Sequence, residues 1–401
     1  TPQGVAASMC ALEAWDDVGV RLMDGLLSTG RASGGSDATR DRGSAAATGW
    51  WTEIPAVRRR PLRTWLWSVA GMTFGVLVVG GITRLTLSGL SIVDWKPLMG
   101  VIPPLNDAQW QATFELYRQF PDYQSRGGMS LDEFRFIFFW EYLHRLLART
   151  IGLVFLVPFT VFWLRGWLTR PLLRRSLLLF ALGAMQGVMG WLMVASGLVD
   201  RPSVSHYRLA AHLTLAFLIF GGAVWLARDL RDPPHGSGAS VTRAQRVLML
   251  RSLSVIGGLL SVQIVWGAFV AGLRAGKYYP TFPLMGGGLV PPDMLRLDAT
   301  LLNFVANPST VQWVHRLLGT LLGVAVFATF IRVRRLVRDT ASRRYSTALT
   351  TLVAAQYSLG VMTLLLLVPV SLGVIHQATA MILFGVWLAW LHYTVRLQPG
   401  R

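Results

Sequence analysis

Four histidines lie within apolar segments that are long enough to cross a membrane. His144 and His212 belong to the first half of the sequence, and His315 and His376 to the second. Ionisable side chains are costly inside a bilayer and usually face the interior of a helix bundle in functional roles. Neutral imidazole is a ligand for haem iron. Two helices with opposed imidazoles can hold one haem, so the pattern favours two haem sites over a proton relay.

These histidines belong to an internal repeat. The stretch EYLHRLLART, residues 141–150, returns as QWVHRLLGTLLG, residues 312–323, so that His315 corresponds to His144. Gln186 and Gln356 also occupy similar places in the third and seventh apolar segments. Each half contains four such segments and therefore two candidate ligands. Since four is an even number, the two halves have the same orientation in the membrane, as in a parallel repeat.

The repeat contains one exchange that bears on chemistry. Glu141 precedes His144 by three positions, so both residues lie on one face of a helix. Its counterpart Gln312 keeps the shape but loses the charge and the basicity. A carboxylate can transfer protons or stabilise developing positive charge, which makes the first site the chemical one and the second a redox site. The alternative is that Glu141 pairs with Arg145 or with a neighbouring helix.

Four arginines near the outer ends of the segments are candidates for contact with haem propionates, through bidentate hydrogen bonds. They could equally extend to lipid phosphates. These residues are Arg84, Arg145, Arg208 and Arg316. The three remaining histidines are interpreted as interfacial or solvated side chains rather than ligands: His206, His235 and His392.

The composition identifies the environment of these residues. The 401-residue chain is 53% hydrophobic, only 14% charged and has a mean hydropathy of +0.46, which is typical of a membrane protein with several spans. A helix needs about 20 apolar residues to cross a bilayer. The sequence therefore predicts an all-α integral membrane protein with eight spans in two tandem four-helix bundles, near residues 65–83, 136–164, 176–196, 208–227, 247–270, 309–331, 347–368 and 371–393.

The net charge of +18 follows the membrane topology. Arginines are concentrated before the first span and in the alternate connections 165–175, 228–251 and 332–344. By the positive-inside rule, these connections and both termini face the cytoplasm or the mitochondrial matrix. The charge therefore gives no reason to expect a nucleic-acid partner. Cys10 is the single cysteine, so neither an intramolecular disulfide nor a thiolate cluster can form.

Three sections follow from these features. Residues 1–60 are predicted to be a disordered or targeting segment because they begin with a stretch rich in Ala, Gly and Ser. Residues 61–230 form the first four-helix half, and residues 231–401 the second. In the first outer connection, residues 107–120 place Trp110, Phe114 and Tyr117 on one helical face. We expect this helix to cover the first haem site, the alternative being a helix that rests on lipid.

Several stretches of this chain closely resemble the haem A synthase family in its mitochondrial and alphaproteobacterial form. The resemblance covers residues 61–395 and rests on GGITRLTLSGLSIVDWKPLMGVIPPLNDAQWQATFELYRQFPDY, MSLDEFRFIFFWEYLHRLLARTIGLVFLVPFTVFW, QGVMGWLMVASGL and SHYRLAAHL. It implies an oxidoreductase that converts the C8 methyl of haem O to the formyl group of haem A, with oxygen derived from water, for cytochrome c oxidase assembly. The competing hypothesis is a dihaem b-type electron-transfer protein.

The resemblance also assigns roles to the residues already singled out. It implies that His144 and His212 bind the substrate haem, that His315 and His376 are the axial ligands of a haem b cofactor, and that Glu141 is the catalytic carboxylate. It implies haem O synthase and oxidase assembly factors as partners, in the mitochondrial inner membrane, or in the inner membrane of a bacterium. The electron acceptor and a homo-oligomeric state stay open.

Overall fold

Long helices make up most of the computed structural model, which describes residues 50–93, 102–197, 204–231 and 241–397. Within these residues we number eleven α-helices: α1 Ala56–Leu85, α2 Asp107–Arg118, α3 Pro121–Ser125, α4 Leu131–Leu164, α5 Arg170–Gly197, α6 His206–Asp229, α7 Arg243–Gly272, α8 Thr300–Ala306, α9 Pro308–Leu336, α10 Thr340–Leu365 and α11 Val370–Arg396. In this part of the chain eight of them are long and apolar enough to span a membrane, namely α1, α4, α5, α6, α7, α9, α10 and α11. The predicted all-α fold with eight spans is confirmed.

The membrane helices extend beyond the apolar segments that predicted them. An apolar segment marks only the part of a helix in hydrocarbon, whereas the hydrogen-bonded turns continue into the polar region. Most of the segment 1–60 lies outside the described residues, but residues 56–60 already belong to α1, so the predicted disorder is wrong there.

The 3₁₀ turn that precedes α1, Trp50–Glu53, is held by arginines stacked on its indoles, Arg175 on Trp50 and Arg396 on Trp51.

Each half of the molecule is a ring of four helices. In the first half α1 packs against α4 and α6, and α5 closes the ring by packing against α4 and α6. In the second half α7 packs against α9 and α11, and α10 packs against the same two helices. The rings meet where α6 contacts α7 and where α11 contacts α1 and α6. These contacts support the predicted tandem bundles.

The helix bounds give the register of the repeat. Helices α1 and α7 are 30 residues each, so Gly80 of α1 corresponds to Gly267 of α7. The shared HRLL sequence aligns His144 of α4 with His315 of α9. These two alignments allow equivalent positions in the halves to be compared one by one.

Aromatic packing at the inner end distinguishes the first half from the second. Trp65 of α1 is 4% exposed, and its ring lies 5.2, 6.4 and 5.7 Å from the ring centroids of Phe155, Phe159 and Phe162 of α4. The equivalent residues in the second half are Ser252, Val326, Phe330 and Val333. The indole of Trp65 therefore fills the space between α1 and α4. The smaller side chain of Ser252 leaves the equivalent space between α7 and α9 open.

A buried polar pair joins the two halves near the same end. His392 of α11 is 3% exposed, and its Nε2 lies 2.9 Å from Oδ1 of Asp229 at the end of α6. The ring of Trp225 covers the imidazole, with the centroids 4.9 Å apart. The interpretation of His392 as a solvated residue was wrong, because Asp229 supplies a partner that lets the imidazole be buried between α6 and α11.

On the outer side α2 forms as predicted. The side chain of Asn106 accepts a hydrogen bond from the Gln109 backbone and caps the helix. The aromatic face packs on the outer end of α4, where the centroid of Trp110 lies 5.0 Å from that of Phe138. Tyr117 is fully buried and donates a 2.7 Å hydrogen bond to Asp122. Burial and this hydrogen bond raise the pKa of the Tyr117 hydroxyl well above its ordinary value. The helix thus contacts the helix that carries His144, rather than resting on lipid alone.

Replacement of Trp65 by Ala should destabilise the first half, because the change leaves a cavity between α1 and α4. Core truncations of this size cost on the order of 3–5 kcal/mol in soluble proteins. The matched control is Trp67→Ala on the same helix, since Trp67 is 43% exposed. Thermal unfolding in detergent, followed by size-exclusion chromatography, should give a clearly lower midpoint for Trp65→Ala. Equal midpoints for the two variants would contradict this account of the core.

Candidate functional site

Each of the four intramembrane histidines packs against a glycine of the preceding membrane helix. A Cβ atom built on the glycine shows how close the ring approaches: 2.8 Å from Gly80 to His144 Cε1, 3.5 Å from Gly190 to His212 Cε1, 3.2 Å from Gly267 to His315 Cε1, and 3.0 Å from Gly360 to His376 Cε1. Carbon–carbon contacts are optimal at about 3.5–4.0 Å. At three of these positions a side chain larger than hydrogen would therefore push on the imidazole.

In each half the two histidines lie on helices that face each other across the ring. Helices α4 and α6 carry His144 and His212, and α9 and α11 carry His315 and His376. In the described ranges no three side chains of His, Cys, Asp or Glu form a group that could hold a metal ion. The ligands available in each half are thus a pair of imidazoles.

Three of the histidines also lie close to a glutamine, which precedes the contacting glycine by one turn on the same helix. The side-chain Nε2 atoms of Gln186, Gln263 and Gln356 lie 3.2, 3.4 and 3.3 Å from the Nε2 atoms of His212, His315 and His376. An amide N–H that donates to Nε2 requires the ring proton on Nδ1. In this tautomer the lone pair lies on Nε2, where it accepts the amide hydrogen bond, and an iron ion bound at Nε2 would replace the glutamine.

The fourth histidine lacks this partner. In the alignment of α1 with α7, Gln263 corresponds to Val76, and Val76 offers the His144 ring only its backbone. The motif Q-x-x-x-G therefore occurs on α5, α7 and α10, whereas α1 has V-x-x-x-G. Sequence reasoning noted Gln186 and Gln356 but missed Gln263 and the glycines, although the motif could have been found by comparing the odd-numbered spans.

Glu141 is 2% exposed and lies in a closed hydrogen-bond network. Its Oε2 accepts from the hydroxyl of Ser91 at 2.7 Å and from the backbone N–H of Ile92 at 2.8 Å. Its Oε1 accepts from Nη2 of Arg145 at 2.5 Å, and the same Nη2 donates to the carbonyl of Ile92 at 3.0 Å. The predicted pairing of Glu141 with Arg145 is thus present, and the connection after α1 supplies further donors.

The equivalent network in the second half has a different donor pattern. Gln312 Nε2 donates to the carbonyl of Tyr279 at 3.1 Å, and Arg316 Nη2 donates to the same oxygen at 2.8 Å. Tyr279 is the counterpart of Ile92 in the alignment of α1 with α7. The Nε and Nη1 atoms of Arg316 are buried and find no acceptor in the part of the chain that the structure describes. Without a carboxylate at position 312, this arginine keeps unused donors.

The other two arginines singled out in the sequence also bond to backbone carbonyls. Arg84 Nη2 donates to Ala271 at 2.9 Å and to Gly272 at 3.3 Å, and thereby joins α1 to the end of α7. Arg208 Nη1 donates to Leu192 at 3.3 Å. All four arginines are therefore anchored within the protein, and Arg316 has the clearest spare capacity for an anion.

A polar network fixes the outer connection that carries Tyr279. Asp293 accepts hydrogen bonds from the hydroxyls of Tyr279 at 2.7 Å and Ser309 at 2.6 Å, while Asn307 donates to its backbone carbonyl at 2.8 Å. Burial acts to raise the pKa of Asp293, but the hydrogen bonds outweigh it, so that the pKa lies below its ordinary value. The connection is thereby tied to the start of α9.

The residues in each half fit a haem held by two histidines. Both imidazoles of each half lie close to a glycine of a neighbouring helix. Each of the four Nδ1 atoms is buried with no hydrogen-bond partner among the described residues. In the second half the free donors of Arg316 suit a propionate, because arginine and carboxylate form strong paired hydrogen bonds.

The chain is similar to proteins of a known family. A family model described as "Cytochrome oxidase assembly protein" matches residues 63–388. A protein named Heme A synthase from Nitrosospira multiformis is 45% identical over 341 residues, which cover 85% of this chain and 95% of that protein. Proteins of the same name from Rhodospirillum centenum and Mesorhizobium japonicum are 45% and 47% identical, over 84% and 82% of this chain and 89% of each relative.

The glycine contacts predict unequal effects of one methyl group on haem binding. Gly80→Ala should displace the ring of His144, because the added Cβ would lie 2.8 Å from it, whereas Gly190→Ala leaves 3.5 Å to His212. We expect Gly80→Ala to lose most of the low-spin haem of the first half and Gly190→Ala to retain it. Haem per protein, from the absorption spectra of the purified variants, measures the difference. Equal occupancy in both variants would contradict the role given to Gly80.

Proposed function

The chain belongs to the haem A synthase family, and we propose that it is an oxidoreductase that converts haem O to haem A for cytochrome oxidase assembly. The substrate methyl group becomes a formyl group in this reaction. The carbon loses four electrons, four protons are released in total, and one oxygen atom enters from water. The protein must therefore bind a large planar substrate, stabilise charge beside its C8 methyl and pass electrons to an acceptor.

The observation that carries the proposal is the unequal environment of two otherwise equivalent histidine pairs. Both halves oppose two imidazoles across a four-helix ring. Only the first half places a buried carboxylate, Glu141, one helical turn from a ligand histidine, whereas the second has Gln312. A pure electron-transfer protein needs no such carboxylate. The contrast supports one site that performs chemistry and one that carries electrons.

We assign the substrate to the first half, residues 61–230, with His144 and His212 as its ligands. A substrate must enter and leave, so its site should hold it less firmly than a resident cofactor. Arg145 is paired with Glu141, which leaves it less able to bind a propionate. Its counterpart in the second half, Arg316, has spare donors.

We assign haem b to the second half, residues 231–401, with His315 and His376 as its ligands. When bound, it would supply a one-electron redox centre. Both histidines have a glutamine partner, which favours the tautomer with its lone pair on Nε2, and the iron would take the place of the amide donor. Arg316 would donate to a propionate through its free Nε and Nη1 atoms, an interaction that favours permanent binding.

The network around Glu141 supports an electrostatic role for this residue. Three of about four acceptor positions on the carboxylate are occupied by Ser91, Ile92 and Arg145, so proton transfer would use the one that remains. A fixed carboxylate can instead stabilise positive charge that develops on the substrate in the transition state. In this proposal Ser91 and Arg145 are positioning residues that hold the carboxylate in place.

The protein is a multi-pass membrane protein. We propose that it acts in an inner membrane, that of a mitochondrion or of a bacterium, with the arginine-rich connections on the matrix or cytoplasmic side. The haem sites then lie towards the opposite side. Haem O synthase would supply the substrate, and oxidase assembly factors would receive the product.

Glu141→Gln should give a protein that binds haem O but fails to complete its oxidation. The change keeps the side-chain volume and removes the charge, and the loss of a fixed electrostatic group of this kind costs about 10²–10³ in rate. Each variant would be expressed with a source of haem O, and haem O, its hydroxylated intermediate and haem A would be quantified by chromatography. Gln312→Glu is the matched control and should not create a second active site. Normal haem A from Glu141→Gln would remove the carboxylate from the mechanism.

His315→Ala and His376→Ala should each remove tightly bound haem b without loss of the fold, because apolar helix packing, rather than one axial ligand, holds the bundle together. The pigments of purified protein, extracted and separated, should contain haem O or haem A beside haem b in the wild type. Full low-spin haem b in both variants would contradict the assignment of this pair. Haem b alone in both sites of the wild type would favour the dihaem electron-transfer hypothesis.

A further inference from the structure

A groove of about 920 Å³ lies between α7 and α9, at the inner ends of these helices. Three exposed arginines border it, Arg243 and Arg251 on α7 and Arg332 on α9. Its walls are formed mainly by small or apolar side chains, among them Ser252, Ala325 and Ala328. From this combination of charge and apolar surface we propose that the groove binds an anionic phospholipid of the inner leaflet.

The internal repeat shows that the groove is specific to the second half. Ser252 corresponds to Trp65, and the indole of Trp65 packs on Phe155 and Phe162 in the space between α1 and α4. Valines replace both phenylalanines in the second half. The same fold can therefore close this space, and the second half leaves it open.

The charges at the rim differ between the halves in the same way. By the helix alignments, Arg243, Arg251 and Arg332 correspond to Ala56, Thr64 and Val161 of the first half. The inner end of α1 is itself basic, with Arg58, Arg59, Arg60 and Arg63, as is common in membrane proteins. The second half differs because its three arginines line an open groove.

The lining suits a lipid better than a soluble anion. The residues that line the groove in the described chain include three arginines and no acidic residue. Guanidinium groups form paired hydrogen bonds with phosphate, and basic pockets between membrane helices on the inner side are typical sites for anionic lipid headgroups. Val255, which is 59% exposed, and the two alanines offer an apolar surface for an acyl chain.

Two other arginines at the inner side join helices to one another. Arg228 donates to the hydroxyl of Tyr345, and Arg246 donates to the carbonyls of Thr394 and Val395 at the end of α11. Neither of them lines the groove. The groove lies at the opposite end of α9 from His315.

Lipid binding to the purified full-length protein tests the proposal. Native mass spectrometry would compare phosphatidylglycerol with phosphatidylcholine, both added from mixed micelles at matched concentrations. The wild type should retain phosphatidylglycerol and not phosphatidylcholine. The triple variant Arg243→Gln, Arg251→Gln, Arg332→Gln should bind phosphatidylglycerol roughly a hundredfold more weakly. Ser252→Trp should also weaken binding, because it fills the groove as Trp65 fills its counterpart.

The control is Arg344→Gln, which removes an exposed arginine of α10 outside the groove and should leave phosphatidylglycerol binding unchanged. Since the triple variant changes only exposed side chains, it tests the site even if Ser252→Trp fails to fold. Equal retention of the two lipids would overturn the proposal, as would unchanged binding in the triple variant. Full competition by inorganic phosphate would show a soluble-anion site instead. A mass corresponding to a dimer that Ser252→Trp abolishes, without any change in lipid binding, would show that a second copy occupies the groove.

Discussion

The close approach of an imidazole to a bare helix backbone is the constraint on which both sites depend. A histidine on one helix can reach the centre of a four-helix ring only if the neighbouring helix presents no side chain at the point of contact. Glycine lies at all four positions, and at Gly80, Gly267 and Gly360 an added Cβ would come within 3.2 Å of the ring. The glutamine one turn earlier then contacts the same ring at three of the four positions. Helices α1, α5, α7 and α10 thus orient the histidines that α4, α6, α9 and α11 carry.

The difference between the two sites comes from how the arginine after each histidine is used. In the first half the carboxylate of Glu141 engages Arg145, and the connection after α1 closes the network through Ser91 and Ile92. In the second half the counterpart of this connection offers a carbonyl, and both Gln312 and Arg316 donate to it. One substitution therefore changes the charge of the site and the availability of the arginine together. This coupling gives a physical reason why duplicated halves can hold a substrate and a cofactor.

Duplication also produced different inner ends. In the first half aromatic side chains fill the space between α1 and α4, and Trp65 is at their centre. In the second half an open, arginine-bordered groove lies at the inner ends of the corresponding helices. The halves contact each other through α1, α6, α7 and α11, so the outer faces of α4 and α9 were free to diverge. The residues around the histidines, near the outer end of the bundle, could thus change independently of the residues at the inner end.

The eight spans, the two four-helix halves and the amphipathic helix α2 could all be predicted from the sequence. These features depend on hydropathy and helical periodicity, which are local properties of the chain. The partners of the site residues could not be predicted in the same way. Ser91 and Glu141 are 50 residues apart, Gln263 and His315 are 52 apart, and Arg84 and Ala271 are 187 apart. Such contacts depend on the path of the outer connections and on how the two rings meet. The sequence by itself determined which residues could act, whereas the tertiary structure decided that Glu141 is held by three donors, that Arg316 keeps free ones, and that a groove remains where Ser252 replaces an indole.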